Sequence, residues 1–277
     1  MASFEIKSAD GFSLEALTGF YNQTRSDYLV PMPMTAADLA EYIQLYDIST
    51  PDSAVLLSEG EFAGLGMLGL RGAQSWITRL GMIPTERRQG GARALVEALI
   101  EAAGRKGAQT IHLEVIASNP PAIELFRSFN FRPRRELLVM KRKAGPGPHA
   151  DGAVRRMSRH EIITHVGSRR DPPGWKTAAR SYVNNPAVQG ITLWLEGMGQ
   201  GWLVYQQKKH ALVRLAFETM GQHDVVIQAL VAHVLHAFPT HEIEIENVSQ
   251  YDVRRKALLA LGFEERFRRI EMALELT

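Results

Sequence analysis

The chain contains no cysteine in its 277 residues, which rules out disulfides, thiolate nucleophiles and cysteine-held metal sites from the start. No run of 18 apolar residues occurs, and the opening MASFEIKSADGFSLE lacks the basic-then-apolar pattern of a secretory leader. A cytoplasmic protein with no membrane partner is therefore expected. An excess of either charge is missing too: 32 Lys and Arg face 30 Asp and Glu, a net +2, which argues against a general nucleic-acid partner. The nine histidines are scattered without paired ligand spacing. His233 and His236 fall on one expected helix but no third ligand accompanies them, so no metal is expected.

What the sequence does offer is length and punctuation. The chain can hold two domains of about 130 residues, each able to bury a core. The segment Ala144 to Gly152, AGPGPHADG, is a Gly/Pro-rich linker between two regions dense in periodic apolar residues. It divides the chain into domains 1–143 and 153–277, with 144–152 between them.

The first region predicts a strand over Ser3 to Lys7, then helices over Leu14 to Gln23 and Ala36 to Tyr46, the second capped by Thr35. Strands follow over Ser53 to Ser58, Phe62 to Arg71 and Ser75 to Ile83, with turns at Glu59-Gly60 and Gly72-Ala73. A helix over Gly90 to Lys106, a strand over Thr110 to Ile116, a helix over Pro120 to Phe129 and a closing hairpin to about Lys143 complete a mixed α/β sandwich around one sheet.

The second region reads as a worn copy of the first. Placing Phe263 on Phe131 sets an ungapped offset of 132 that aligns Ile243 with Ile111, Glu246 with Glu114 and Met272 with Met140. The same offset lays Val226, Ile227, Leu230 and Val231 on Ala94, Leu95, Ala98 and Leu99, preserving the helix's apolar register. The run Gly197 to Gly201 is expected to be a hairpin turn and not a phosphate loop, because no helix follows it.

Chemistry concentrates between Met82 and Leu99, where an apolar strand meets a basic, glycine-rich turn that opens into a helix. Gly90 and Gly91 allow successive N–H groups from Arg88 to Ala92 to point into one concavity. The helix start adds the positive end of its dipole, and Arg87, Arg88 and Arg93 add full charges around Gln89. A diphosphate fits such a junction.

The spacing Arg87-x-x-Gly90-x-Ala92 resembles the Arg/Gln-x-x-Gly-x-Gly/Ala signature of the GCN5-related N-acetyltransferases (GNAT). A second segment, TIHLEVIASNPPAIELFRSFNF from Thr110, is similar to that superfamily's second signature through Leu113, Glu114, Val115, Ser118, Asn119, Ala122, Ile123, Leu125 and Phe131. The resemblance implies two tandem GNAT-like acyl-CoA N-acyltransferase domains of α+β type, with acetyl-CoA as cosubstrate and a primary amine, on a small molecule or peptide, as acceptor. It places the pantetheine arm along Leu80, Gly81 and Met82, and the diphosphate on Arg87, Arg88, Gln89, Gly90, Gly91, Ala92 and Arg93. Asn119 and Phe126 complete the cofactor-binding set.

A backbone N–H near Met82 is the oxyanion donor that the family pattern implies. Glu114 is the candidate general base; its alternatives are orienting the substrate without taking a proton, or pairing with Arg134. Phe126 departs from the family, which commonly has a tyrosine there as proton donor to the thiolate. Water, Tyr21 or Tyr28 would have to replace it. Asn130 stands for the customary glycine and tolerates the left-handed backbone. The segment Asp27 to Thr35 lies where acceptor pockets are lined in this superfamily.

At the 132 offset Thr219, Gln222 and Asp224 replace Arg87, Gly90 and Ala92, and Tyr251 replaces Asn119. An aspartate at a helix start competes with a phosphate, so the second domain is expected to pack, shape the acceptor pocket or form a homodimer. The rival functions are a non-catalytic acyl-CoA sensor and a dimerisation scaffold.

Overall fold

The computed structural model describes residues 4–249 and 254–276. Tyr251 lies outside the described residues. Contacts divide the chain into two compact units: Met1–Val115 with Pro120–Arg134 and Met272–Thr277, and Ile116–Asn119 with Arg135–Glu271.

The first unit holds β1 (Phe4–Ser8), α1 (Leu14–Gln23), α2 (Ala36–Leu45), β2 (Ile48–Ser58), β3 (Glu61–Arg71), β4 (Gln74–Met82), α3 (Gly91–Arg105), most of β5 (Thr110–Ile116) and α4 (Pro120–Arg127). Strands β1 to β5 lie side by side in chain order. Glu59 and Gly60 both have positive φ (52° and 88°), the requirement of a tight two-residue hairpin between β2 and β3. Ser13 caps α1, and Thr35 forms a reciprocal capping box with Asp38 on α2, worth about 1 kcal/mol.

Helices cover the two faces of this sheet for different reasons. On one, Gly64 and Gly66 leave room for Leu95 and Leu99 of α3; a Cβ on Gly66 would lie 2.7 Å from Leu99 Cδ1. On the other, Tyr42 and Tyr46 of α2 gather around Trp76 of β4, with ring centroids 6.1 and 5.9 Å away. Strand alternation assigns Trp76 and Thr78 to the α1–α2 face, and the Trp76–His112 pairing carries that face to His112 and Glu114 of β5. Residues from the end of the chain finish the unit: Leu276 donates its N–H to the Gln109 carbonyl (2.8 Å), and Glu275 accepts from Thr110 Oγ1 (2.7 Å).

The second unit holds most of β6 (Arg132–Arg142), then β7 (Ala153–Arg156), α5 (Arg159–Gly167), α6 (Ala179–Val183), β8 (Val188–Leu195), β9 (Gly199–Gln207), β10 (Ala211–Gly221), α7 (His223–Ala237), β11 (Glu242–Ser249), α8 (Arg254–Ala260) and most of β12 (Glu264–Glu275). Its strands run β6-β11-β10-β9-β8-β7. The apolar side of α7 (Val226, Leu230, Val234) is buried with Leu203, Phe217 and Ile243. The expected hairpin turn at Gly197 is present, joining β8 to β9.

The closing hairpin expected before Lys143 does not form. Residues 132–142 run as one strand, whose Met140 to Arg142 pair antiparallel with Ile243 to Ile245, because nothing inside RPRRELLVMKR supplies a turn. Residues 144–152 lie in the second unit, where Arg142 donates to the Pro146 carbonyl (2.8 Å) and Gly145 to the Pro239 carbonyl (2.9 Å).

The duplication is visible in detail. Helices α3 and α7 begin and end 132 residues apart. Asn130 (φ 66°) and Gly262 (φ 82°) make the same left-handed turn, after which Phe131 and Phe263 donate to the carbonyls of Phe126 and Leu258. Among the described residues no helix is long and apolar enough to cross a membrane.

Candidate active site

The turn before α3 leaves main-chain amides without intrahelical partners at a helix start. Arg88 (φ 63°) and Gly90 (φ 95°) both take the left-handed conformation, and Gly90 is the helix N-cap. The first intrahelical bond runs from the Ala94 N–H to the Gly90 carbonyl, so the amides of Gly91, Ala92 and Arg93 have no partner within the helix. No side chain caps them and no acid occupies the first turn. Gly91 is needed for packing: a Cβ there would lie 2.6 Å from Met82 Cε.

The arginines of the turn have separate tasks. Arg87 forms a bidentate pair with Asp27 (2.6 and 2.7 Å) and donates from Nε to the Met82 carbonyl (3.3 Å), which ties the segment after α1 to the turn. That hydrogen-bonded guanidinium holds the Asp27 carboxyl below its usual range. Arg93 reaches Ser128 (3.0 Å) and stacks 4.6 Å over the Phe129 ring. Gln89 donates to the Thr85 carbonyl (3.4 Å), and Arg88 is exposed.

Strands β4 and β5 pair in parallel only from Gln74–Thr110 to Ile77–Leu113, although β4 continues to Met82 and β5 to Ile116. A register shift against β3, centred on Arg79 (φ 53°), accompanies the parting. Ile83 donates to the Ala63 carbonyl (2.9 Å), so the antiparallel alternation turns the Met82 N–H and C=O away from β3, toward the side β5 has left. The Met82 side chain itself is buried beneath Gly64 and Gly91. Half-buried Glu114 is the first β5 residue beyond the paired stretch and stands on the α1–α2 face. Phe126 is buried edge-on against Phe131, centroids 5.8 Å apart. Asn119 belongs to the second unit, in a turn where its N–H meets the Ile116 carbonyl (3.0 Å).

Two residues that the sequence reading passed over crowd the α1–α2 face. Arg79 lies 4.1 Å over the Tyr42 ring and donates to Tyr21 Oη (3.0 Å). Arg25 lies 4.4 Å over Tyr28 and donates to the Leu80 carbonyl (2.8 Å). Burial, with Arg79 as neighbour, pulls the Arg25 guanidinium below its ordinary value. The available signal was Arg79 itself, a lone cation inside the strand WITRLGM.

The equivalent places in the second unit are filled from within. Strands β10 and β11 pair at Ala211–Glu242 and Leu212–Ile243 and then part. There Arg254 donates to the Phe217 carbonyl (2.9 Å) and to Asp171 (3.0 Å), beside a small pocket lined by Arg169, Phe217 and Glu246. Before α7 the Gln222 N–H is spent on the Met198 carbonyl (2.8 Å), and Asp224 occupies the first turn. Burial alone would raise the Glu246 carboxyl, but Lys176 and Arg269 beside it hold it well below the carboxylate range.

Comparison with known proteins agrees with this geometry. Residues 19–131 match the acetyltransferase (GNAT) family. A 76-residue stretch is 34% identical to the [ribosomal protein bS18]-alanine N-acetyltransferase of Escherichia coli K12, covering 27% of this chain and 51% of that one. The chain thus spans about half the length of the curated relatives it matches. Over 98% of its length it shares the fold of a GCN5-related N-acetyltransferase from Sphaerobacter thermophilus (TM-score 0.71, 14% identity, 95% of that chain). A tandem GNAT protein from the clavulanic acid biosynthesis pathway aligns over 99% of this chain and 98% of its own (TM-score 0.67, 15% identity). Residues 19–131 thus match the acetyltransferase (GNAT) family, and along its whole length the chain has the fold of these solved GCN5-related N-acetyltransferases.

Proposed function

We propose that the protein is a cytoplasmic, acetyl-CoA-dependent N-acetyltransferase whose chemistry resides in residues 1–143, with 153–277 as a degenerate copy. The observation that carries this is the coexistence, in one unit, of an uncapped, acid-free α3 turn and an open β4 edge ending at Met82. The turn offers the Gly91, Ala92 and Arg93 amides to a diphosphate, with Arg88 nearby; the edge offers the Met82 N–H to an amide-bearing arm lying along Leu80 and Gly81.

Bound there, the cosubstrate supplies an activated acyl carbon; the chain supplies placement, charge and proton transfer. The Met82 N–H is aimed to stabilise a developing oxyanion. Glu114 removes the proton that keeps the acceptor amine charged, a real requirement because an amine of pKa about 8 is only about one-tenth neutral at pH 7. Phe126 has no proton to give. A thiol of pKa about 8.5 leaves acceptably with a proton from water.

The acceptor is a primary amine. The bS18 relative acetylates the alanine of a ribosomal protein, and the half-length match makes a peptide N-terminus one acceptor to test. Calorimetry with acetyl-CoA, then thiol release with a panel of amines, tests the reading: heat and thiol release are expected together. Phe126 favours one rival, a sensor that binds acyl-CoA without turnover; heat with no thiol release from any amine would establish it.

A further inference from the structure

The α1–α2 face of β4 gathers more positive charge than an acyl carrier held by backbone amides requires. Arg79 and Arg25 share the Tyr21 ring, with guanidinium carbons 5.0 and 5.3 Å from its centroid. Each also lies over a second ring, Tyr42 and Tyr28 respectively. A guanidinium has five N–H donors, and Arg25 spends two contacts, on the Leu80 carbonyl and on Thr24 Oγ1 (3.3 Å). No carboxylate among the described residues forms an ion pair with it. The acid nearest in sequence, Asp27, is engaged bidentately by Arg87.

Desolvating a guanidinium is costly, and setting a second beside it adds repulsion. An anion arriving between them offsets both. The position is telling: a side chain on Gly81 would strike Arg25, so the guanidinium stands over the edge that leads to Met82, on the same face as Glu114.

Resting on the transferase reading above, we propose that Arg25, with Arg79 beside it, binds a carboxylate on the acceptor. The substrate class is then small amino acids or aminocarboxylates in preference to uncharged amines. The planar fork of arginine matches a carboxylate in two parallel hydrogen bonds, and the tyrosine rings fix its plane. The acceptor amine is thereby held near Glu114.

The test uses the whole protein, acetyl-CoA and matched acid–amide pairs: alanine and alaninamide, β-alanine and β-alaninamide, 4-aminobutyrate and its amide. Thiol release is compared per deprotonated amine. At least one acid is expected to exceed its amide in kcat/KM by about tenfold to a hundredfold. Arg25→Gln is expected to erase that preference by raising KM for the acid at least tenfold more than for the amide, with heat of acetyl-CoA binding still measurable; Arg25→Lys is expected to restore part of it. Equal use of every acid and its amide overturns the inference alone, as does an Arg25→Gln protein that loses acid and amide alike. No heat with acetyl-CoA in the wild type, or heat without turnover of any amine, overturns the transferase reading and this inference with it.

Discussion

The two halves of this chain share strand order, and their helices α3 and α7 and the turns at Asn130 and Gly262 recur 132 residues apart, yet the two helix starts and the two strand partings carry different side chains. Neither helix start carries a side-chain cap, but α3 has left-handed Gly90 as its N-cap and no acid in its first turn, whereas α7 has Asp224 in its first turn and the N–H of its N-cap, Gln222, bonded to the Met198 carbonyl. Where β4 parts from β5 the Met82 N–H faces outward, with Arg25 and Arg87 on the Leu80 and Met82 carbonyls; beyond the β10–β11 pairing Arg254 occupies the Phe217 carbonyl and reaches Asp171. Glu114 is half-buried just beyond the paired stretch of β5; its counterpart Glu246 is clasped by Lys176 and Arg269. On the proposed reading, the second half keeps the fold while pairing its own charged groups where the first half would bind a ligand.

That contrast can be broken by moving single residues across it. Ala92→Asp copies Asp224 into the first half; it should weaken acetyl-CoA binding by a hundredfold or more in calorimetry, with the melting temperature unchanged or slightly raised, because an acid suits a helix start. Glu114→Gln should lower kcat by about a hundredfold, most at low pH, while the heat of acetyl-CoA binding persists; an unaltered pH profile would remove the residue from the base role. Lys176→Met leaves Glu246 short of a partner in a mostly buried site and should cost about 3 kcal/mol in denaturant unfolding, a penalty that Glu114→Gln should not show.

Smaller still is the effect of Glu161, whose carboxyl Arg155 and the Ser158 cap hold at about 2. A depressed carboxylate stabilises fully above its unfolded value of 4.5 and loses that contribution as pH falls toward 2, so Glu161→Gln should flatten the stability curve in that window. Asp224→Ala, the reverse exchange, should confer no acetyl-CoA binding at all, since the N-cap of α7 is Gln222 at φ −75° and not a left-handed glycine preceded by arginines.

Most of the architecture was legible because periodic apolar residues and local caps specify it. The bounds of α1 and β5 follow from the pattern alone, and Thr35 caps α2 as its side chain predicts. The absent hairpin before Lys143 was not legible: a strand's choice of partner depends on residues a hundred positions away, here Ile243 to Ile245, and no local turn chemistry records it. At the site, the glycine turn and Glu114 were visible as chemistry attached to motifs. Arg25 and Arg79 were not, because their meaning lies in sharing Tyr21, a tertiary coincidence between the end of one helix and a strand irregularity. Arg87 carried a motif and yet its guanidinium is tied to Asp27, a partner sixty residues earlier.

Glu275 and Leu276, which fasten onto Thr110 and Gln109, set a practical boundary for dissection. A fragment stopped at the Gly/Pro-rich stretch would retain every candidate catalytic group but leave the flank of β5 bare, inviting sticky edge-to-edge association in place of a tidy minimal enzyme. Residues 275 and 276 thus act as a clasp on the start of β5.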